Sequence, residues 1–189
     1  MKYIEIEIRI YLEDDSVLVS WLKSNAQYIG ELSQEDIYYQ PIKYPFIIKD
    51  DEGYKDADQW LRVRTSRKGT ELCYKYWHRD SITKESLYAD EVESTVGDKE
   101  AICKILELLG YEVISLIDKT RESWIYNNFK IERDCVKGLG NFYEIEFTGQ
   151  TSNPEKGKEI IFDFLTVIGI ENWKLIDRGY PWMQWNNDW

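Results

Sequence analysis

The chain has 189 residues, of which 43% are hydrophobic and 15% aromatic, so it can form one domain with a proper core and is not a disordered segment. Its net charge of −11 and pI near 4.7 argue against non-specific binding to nucleic acid or to an anionic membrane, while leaving room for a local Arg/Lys cluster that holds phosphate. No apolar run approaches the ~20 residues that span a bilayer, and the N-terminus turns acidic at Glu5, too early for a signal peptide, so a cytoplasmic location is expected.

The first predicted strand runs from Lys2 to Leu12. Ile4, Ile6, Ile8 and Ile10 alternate with Glu5, Glu7 and Arg9, which predicts a strand with one apolar and one charged face. Glu13-Asp14-Asp15-Ser16 then offers N-caps for a helix ending near Asn25, with Val17, Leu18, Trp21 and Leu22 at helical spacing. Gln27 to Tyr39 reads as a strand interrupted by polar residues. Gln40 to Pro45 is expected to be irregular, because Pro41 and Pro45 remove backbone donors. The loop continues to Asp58, rich in tyrosine, and reads as a mobile cover ahead of a direct ligand contact.

Gln59 to Arg67, the Lys68-Gly69 turn and Thr70 to Arg79 form a predicted hairpin. Arg62, Arg64 and Ser66 share one face of it; Leu61, Val63 and Thr65 share the other. Leu87 to Thr95 is a further strand carrying Glu91 and Glu93. Gly97-Asp98 caps a helix over Lys99 to Leu109, with Ile102, Ile105, Leu106 and Leu109 as its apolar stripe and Gly110 at its end. Tyr111 to Tyr126 and Phe129 to Cys135 are strands joined by Asn127-Asn128, a pair that tolerates positive φ. Lys137 to Gly140 is a turn, and Asn141 to Thr148 is the strand with Glu144 and Glu146. Asn153 caps a helix that begins at Pro154 and runs to about Ile168. Trp173 to Arg178 is a short last strand, and the tail from Tyr180 holds Pro181, Trp182, Trp185 and Trp189.

Many antiparallel strands and three helices predict an α+β domain. If the helices cover the apolar faces, the charged faces converge, most simply inside a closed sheet. Such an interior would be lined by Glu5, Glu7, Glu144, Glu146, Arg62, Arg64, Lys75, Lys119 and Arg121. Buried charge is costly unless paired or bound to metal. Hard carboxylates suit Mg²⁺ or Mn²⁺, and guanidinium forks suit phosphate oxygens, so together they describe a site for a metal-bound polyphosphate. The competing reading is a set of cross-strand Glu–Arg pairs that satisfy one another. Cys73, Cys103 and Cys135 lack metal-ligand spacing and read as reduced, structural thiols. His78, at a strand end, reads as a surface residue, and Gly138-Leu139-Gly140 as a turn rather than a phosphate loop.

Glu5-Ile6-Glu7-Ile8-Arg9 resembles the ExExK signature of the CYTH superfamily, the triphosphate tunnel metalloenzymes. Leu61-Arg62-Val63-Arg64 is similar to that family's LRxR strand, Tyr74-Lys75 to the lysine of the following strand, and Glu91-Val92-Glu93 to its central acidic strand. Asp118-Lys119-Thr120-Arg121 resembles its KxR pair, and Asp134-Cys135-Val136 through Gly138-Leu139-Gly140-Asn141-Phe142-Tyr143-Glu144-Ile145-Glu146 resembles its D…V…LGxFxEIE segment. These matches fall in family order. The resemblance implies an antiparallel eight-stranded β-tunnel, a closed barrel with helices outside, and a metal-dependent reaction on a triphosphate. Two reactions are implied, the class IV adenylate cyclase type, from ATP to cyclic AMP and pyrophosphate, or hydrolysis of tripolyphosphate or thiamine triphosphate; the other class of function is a non-catalytic member that only binds a triphosphate or nucleotide. It further implies metal at Glu5, Glu7, Glu144 and Glu146, phosphate at Arg62, Arg64, Lys75, Lys119 and Arg121, catalytic positions at Arg9, Lys75 and Asp134, and an accessory role for Glu91 and Glu93. The implied partner is a small triphosphate rather than nucleic acid or membrane, with a homodimer left open. Cyclase is the first expectation, because Leu139 to Glu146 resembles that branch and the aromatic loop and tail could grip a nucleoside. One departure is Arg9 in place of the signature lysine, since a guanidinium does not deprotonate in proteins.

Overall fold

The computed structural model describes residues 6–49, 52–79, 86–151 and 153–186. Its elements are β1 (Glu7–Tyr11), α1 (Ser16–Asn25), β2 (Gln27–Pro41), β3 (Ile48–Lys49), β4 (Lys55–Asp56), β5 (Gln59–Ser66), β6 (Gly69–Arg79), β7 (Ser86–Val96), α2 (Lys99–Leu108), β8 (Tyr111–Tyr126), β9 (Phe129–Val136), β10 (Gly140–Phe147), α3 (Pro154–Val167), β11 (Lys174–Leu175) and α4 (Tyr180–Trp185). The α+β class is as expected. One large antiparallel sheet has the order β11-β1-β10-β9-β8-β2-β5-β6-β7. It therefore holds nine strands with ends at β11 and β7, where eight strands closing on themselves were expected. The ninth is β11, a two-residue strand that pairs with Ile10 and Tyr11. Among the described residues no helix is long and apolar enough to cross a membrane.

Three local features go beyond the sequence reading. β2 continues through Pro41, which tolerates strand geometry because it sits at the strand's end, where a missing N–H costs little. The loop read as a mobile cover contains the β3–β4 pair, and Ile47 N–H donates to Gln40 Oε1 at 3.1 Å. The tail, to which the sequence reading assigned no element, forms α4 with Pro181 in its first turn, a place where proline's missing N–H has no helical partner to lose.

Contacts divide the chain into two units, each discontinuous: residues 1–32 with 119–178, and residues 33–118 with 179–189. In the first, strand alternation is converted into a core by register. Ile8 faces Ile145, Ile145 faces Ile131, and Ile131 faces Trp124, so one row of side chains crosses β1, β10, β9 and β8. All four are buried with Leu18 and Leu22 of α1 and Ile161 and Leu165 of α3. Burying each such side chain contributes about 1.5–3 kcal/mol. The acidic run before α1 works differently from a simple cap. Asp14 Oδ1 accepts from Ser16 N–H at 2.9 Å, while Asp15 Oδ2 accepts from Arg133 Nε at 2.8 Å and from the Tyr143 hydroxyl at 2.9 Å. Asp15 thereby fastens the start of α1 to β9 and β10. The α3 start follows the expected pattern, with Asn153 Oδ1 accepting from Lys156 N–H.

Gly157 of α3 packs against Ile6, the residue just before β1. A Cβ there would stand 2.7 Å from Ile6 Cγ2 and 2.6 Å from its Cδ1. Alanine normally improves a helix interior by about 1 kcal/mol over glycine. Here Gly157→Ala is expected to destabilise the protein, since overpacking of this kind costs about 1–3 kcal/mol. A urea midpoint at or above that of the wild type would show that α3 can shift away.

In the second unit, the apolar faces of β2, β5 and β6 present Tyr39, Leu61, Val63 and Leu72 to Leu106 and Ile102 of α2. Asp98 caps α2 by accepting from Ala101 N–H at 2.9 Å. Helix α4 lies along β8, beyond the point where β9 pairing stops at Lys119 and Val136. Gln184 Nε2 donates to Leu116 O at 2.9 Å and Trp185 Nε1 to Ile114 O at 3.1 Å, so side chains satisfy two strand carbonyls. Asn186 grips the β4 backbone from both sides, Oδ1 accepting from Lys55 N–H and Nδ2 donating to Lys55 O.

Candidate functional site

The face opposite the Ile8–Trp124 row is charged, and register dictates its layout. Glu7 is the cross-strand partner of Glu146, and Arg9 that of Glu144. Glu144 in turn faces Glu132, Glu146 faces Lys130, and Phe142 faces Asp134. Asp134 faces Arg121, and Lys119 stands at the end of the same pairing. Glu5 lies outside the described residues. Among the described residues of β1, β10, β9 and β8 on this face, the carboxylates Glu7, Glu132, Asp134, Glu144 and Glu146 outnumber the cations Arg9, Lys119, Arg121 and Lys130 by one, and Lys174 of the edge strand β11 stands on the same face opposite Tyr11. That surplus of hard oxygen donors fits a divalent cation such as Mg²⁺ or Mn²⁺.

The cations of this face are already engaged. Arg9 donates to Glu144 Oε1 through Nε at 3.1 Å and Nη2 at 2.5 Å, and through Nη1 to Arg178 O at 2.9 Å. Arg121 reaches Asp134 through Nε and Nη2, both at 2.6 Å, and also Glu132 and Glu144. Lys119 Nζ lies 2.6 Å from Asp134 Oδ2, both side chains almost wholly buried. Burial alone would raise the Asp134 and Glu144 carboxyls. Arg121 and Lys119 beside Asp134, and Arg9, Arg121 and Lys119 around Glu144, outweigh it and hold both below the usual carboxylate range. The stability these two groups contribute is therefore present above their unfolded values and lost as pH falls through the depressed folded ones. A melting profile is expected to be level from neutral pH to about pH 5 and to fall steeply below about pH 4. A melting temperature that rises on acidification would contradict the assignment.

The second unit carries its own charged face. Arg62 and Arg64 lie on β5 opposite Tyr38 and Asp36 of β2. Asp36 is fully buried and takes a fork from Arg64, Nε to Oδ1 and Nη2 to Oδ2, both at 2.6 Å. Arg62 stands 3.9 Å from Asp36 and 3.7 Å from Glu93, and its buried Nε has no hydrogen-bond partner. Burial would lower the Arg62 guanidinium, but Tyr38 and Asp36 outweigh it and keep it charged. Lys75 pairs with Glu91 at 2.9 Å and its ammonium stands over the Trp77 ring. Cys73, Glu91 and Glu93 bring ligand atoms within 4.8 Å of one another. Burial pushes the Cys73 thiol up to about 12 and it donates to Glu91 at 3.2 Å, so it is a protonated donor. His78 pairs with Asp90 at 2.7 Å at the strand end.

Sequence reasoning placed these charges around one interior; the structure brings Glu7, Arg9, Lys119, Arg121, Asp134, Glu144 and Glu146 together on one face of the first unit, and Arg62, Arg64, Lys75, Glu91 and Glu93 on a face of the second. Sequence reasoning missed Asp36 and Glu132. A signal for each existed: Asp36 and Glu132 occupy the polar phase of strands whose apolar phase, Ile37 and Ile131, is buried or packed on core. Of the tail tryptophans, Trp182 and Trp185 pack on aromatic rings, and Trp189 lies outside the described residues. Trp185 stacks on Trp60 with ring centroids 5.6 Å apart, and Trp182 packs beside Tyr54.

The CYTH domain family matches residues 3–180. The chain belongs to the CYTH family. A Methanocaldococcus jannaschii protein named provisionally as an adenylate cyclase is 28% identical over 179 residues, covering 94% of this chain and 96% of that one. A solved CYTH-like structure from Pyrococcus horikoshii OT3 is 26% identical with a TM-score of 0.68, covering 94% of this chain and 98% of that one. A Hippeastrum protein, named provisionally as an adenylyl cyclase and described as having a dominant triphosphatase activity, is 17% identical with a TM-score of 0.64 over 94% of this chain and 93% of that one, a likeness of fold. The matched span takes in each described residue of both charged faces.

Proposed function

We propose that this CYTH protein is a divalent-metal-dependent enzyme acting on a triphosphate. The observation that carries the reading is the surplus of carboxylates around a fixed set of Arg and Lys on the β1–β10–β9–β8 face. Glu5, Glu7, Glu144 and Glu146 would hold Mg²⁺ or Mn²⁺, which when bound supplies charge neutralisation on phosphate oxygens. Arg62, Arg64, Lys75, Lys119 and Arg121 would hold the phosphates, and the closed strand arrangement implied by the resemblance belongs to the same reading. Arg9 keeps its proton and holds Glu144, so it orients a carboxylate and does not activate the nucleophile. Asp134 fixes Lys119 and Arg121 in place.

Of the two reactions, hydrolysis at the terminal phosphorus is favoured by the geometry. A cyclase needs a grip on the nucleoside, and of the candidates Asp134 is engaged with two cations and Trp182 and Trp185 with aromatic neighbours, while Tyr44 of the aromatic loop is exposed. ATP cyclisation is the second reading, supported by the name of the Methanocaldococcus relative. ³¹P NMR with Mg²⁺ or Mn²⁺ decides between them. Orthophosphate from tripolyphosphate is the expected result; pyrophosphate and cyclic AMP from ATP would install the second reading, and no turnover of either would overturn both. Arg64→Ala is expected to lower kcat/KM by about 100- to 1,000-fold, as loss of a charged transition-state contact does. Tripolyphosphate at about 100 times its Kd should protect the wild type by about 2.7 kcal/mol.

A further inference from the structure

A guanidinium offers five N–H donors. Those of Arg121 are nearly all taken: Nε and Nη2 go to Asp134, Nη2 also to Glu144 at 2.5 Å, and Nη1 to Glu132 at 2.5 Å. A single Nη1 hydrogen is left over, too few for a forked grip on phosphate. Glu132 is itself anchored from behind, its Oε1 taking Lys130 Nζ at 3.1 Å and the Ser123 hydroxyl at 3.3 Å. Asp134 is fully buried and shared with Lys119, so it stays with Arg121. Glu132 and Glu144 differ from it: they are cross-strand partners and partly exposed, and side chains so paired can converge on one cation.

We propose that Glu132 is a positioning residue that holds Arg121 in reserve, so that its phosphate grip opens only when a divalent cation draws Glu132 and Glu144 away. The inference rests on the metal-dependent triphosphate reading. It adds an order of events: the cation takes the carboxylates, the freed Nη hydrogens turn to phosphate, and Asp134 keeps the guanidinium in place. No bond is made or broken; charges exchange partners.

The test is the coupling between cation and anion, which a merely structural role would not move. Tripolyphosphate binding is measured by calorimetry without metal and with Mg²⁺, for wild type, E132Q and E132D at matched concentrations, so that the Mg²⁺–tripolyphosphate complex formed in solution is common to all. Mg²⁺ is expected to strengthen wild-type binding by about tenfold or more, within the usual range of coupling between sites. E132Q is expected to bind more tightly than wild type without metal and to gain less than about threefold from Mg²⁺. E132D keeps the charge but draws it back by one methylene from Arg121, so its gain is expected to fall between the two and carries the test if glutamine prevents folding. A gain equal to wild type in either folded variant would overturn the inference and leave the triphosphate reading standing. Absence of tripolyphosphate binding by the wild type under both conditions would overturn that reading itself.

Discussion

Arg121→Ala is expected to melt roughly 6 to 20 °C below the wild type and to lose turnover. The reason is Asp134, fully buried and left with Lys119 as its cation when the guanidinium goes. Removing one partner of a buried ion pair costs about 3–5 kcal/mol, and each kcal/mol shifts a domain of this size by about 2–4 °C. Glu132 and Glu144 would lose a donor at the same time, which places the effect toward the upper end. Arg121→Lys separates the two roles. A point charge can answer Asp134 but cannot reach three carboxylates at once, so melting should recover in part while turnover does not. Differential scanning calorimetry beside a phosphate-release assay reads both, and an alanine variant melting within about 2 °C of wild type would show that the cluster contributes little.

Glu7→Gln is the complementary case, large in function and small in stability. Glu7 is exposed on β1, its neighbours Ile6 and Ile8 supply the burial, and glutamine keeps its size. Melting should stay within about 1 °C. Metal-stimulated turnover is expected to fall by more than about 100-fold, beyond what loss of a supporting residue usually causes at a metal site. The Mg²⁺ titration gives the answer: a variant with unchanged metal dependence removes Glu7 from the proposed ligand set.

Much of this fold is legible because strand alternation is strict. Ile6, Ile8 and Ile10 against Glu7 and Arg9, or Leu61 and Val63 against Arg62 and Arg64, predict both a strand and its two faces, and each apolar member is buried. The Asn127-Asn128 turn was readable in the same way, since Asn127 does take positive φ. What stayed hidden depends on partners far away in sequence. Nothing local to Asp36 indicates that it will be sealed under Arg64, and nothing local to Glu132 indicates that it will share a guanidinium with Asp134 and Glu144. Helix α4 is too short to show a period, and its stabilisation comes from β8 carbonyls and from Asn186 on β4. Of the two sequence readings, mutually satisfied pairs describe Arg9, Arg121 and Glu144 as they stand, and the metal-bound polyphosphate is the proposal made for the same face.

The pairing of β1 with β10 also bears on how the chain is made. Arg9 and Glu144, joined in the finished protein, are separated by 135 residues. At about 5–20 residues per second, a ribosome needs on the order of ten seconds to deliver β10 after β1 has emerged. For that interval Ile6, Ile8 and Ile10 have no native partners to pack with, in a segment whose β-propensity invites pairing with other nascent chains. Glu5, Glu7 and Arg9, interleaved among them, act as gatekeepers against that pairing. The charges proposed to serve the catalytic face would then guard the chain before a catalytic face exists, and Glu7→Gln should be watched for insoluble product during expression as well as for lost activity.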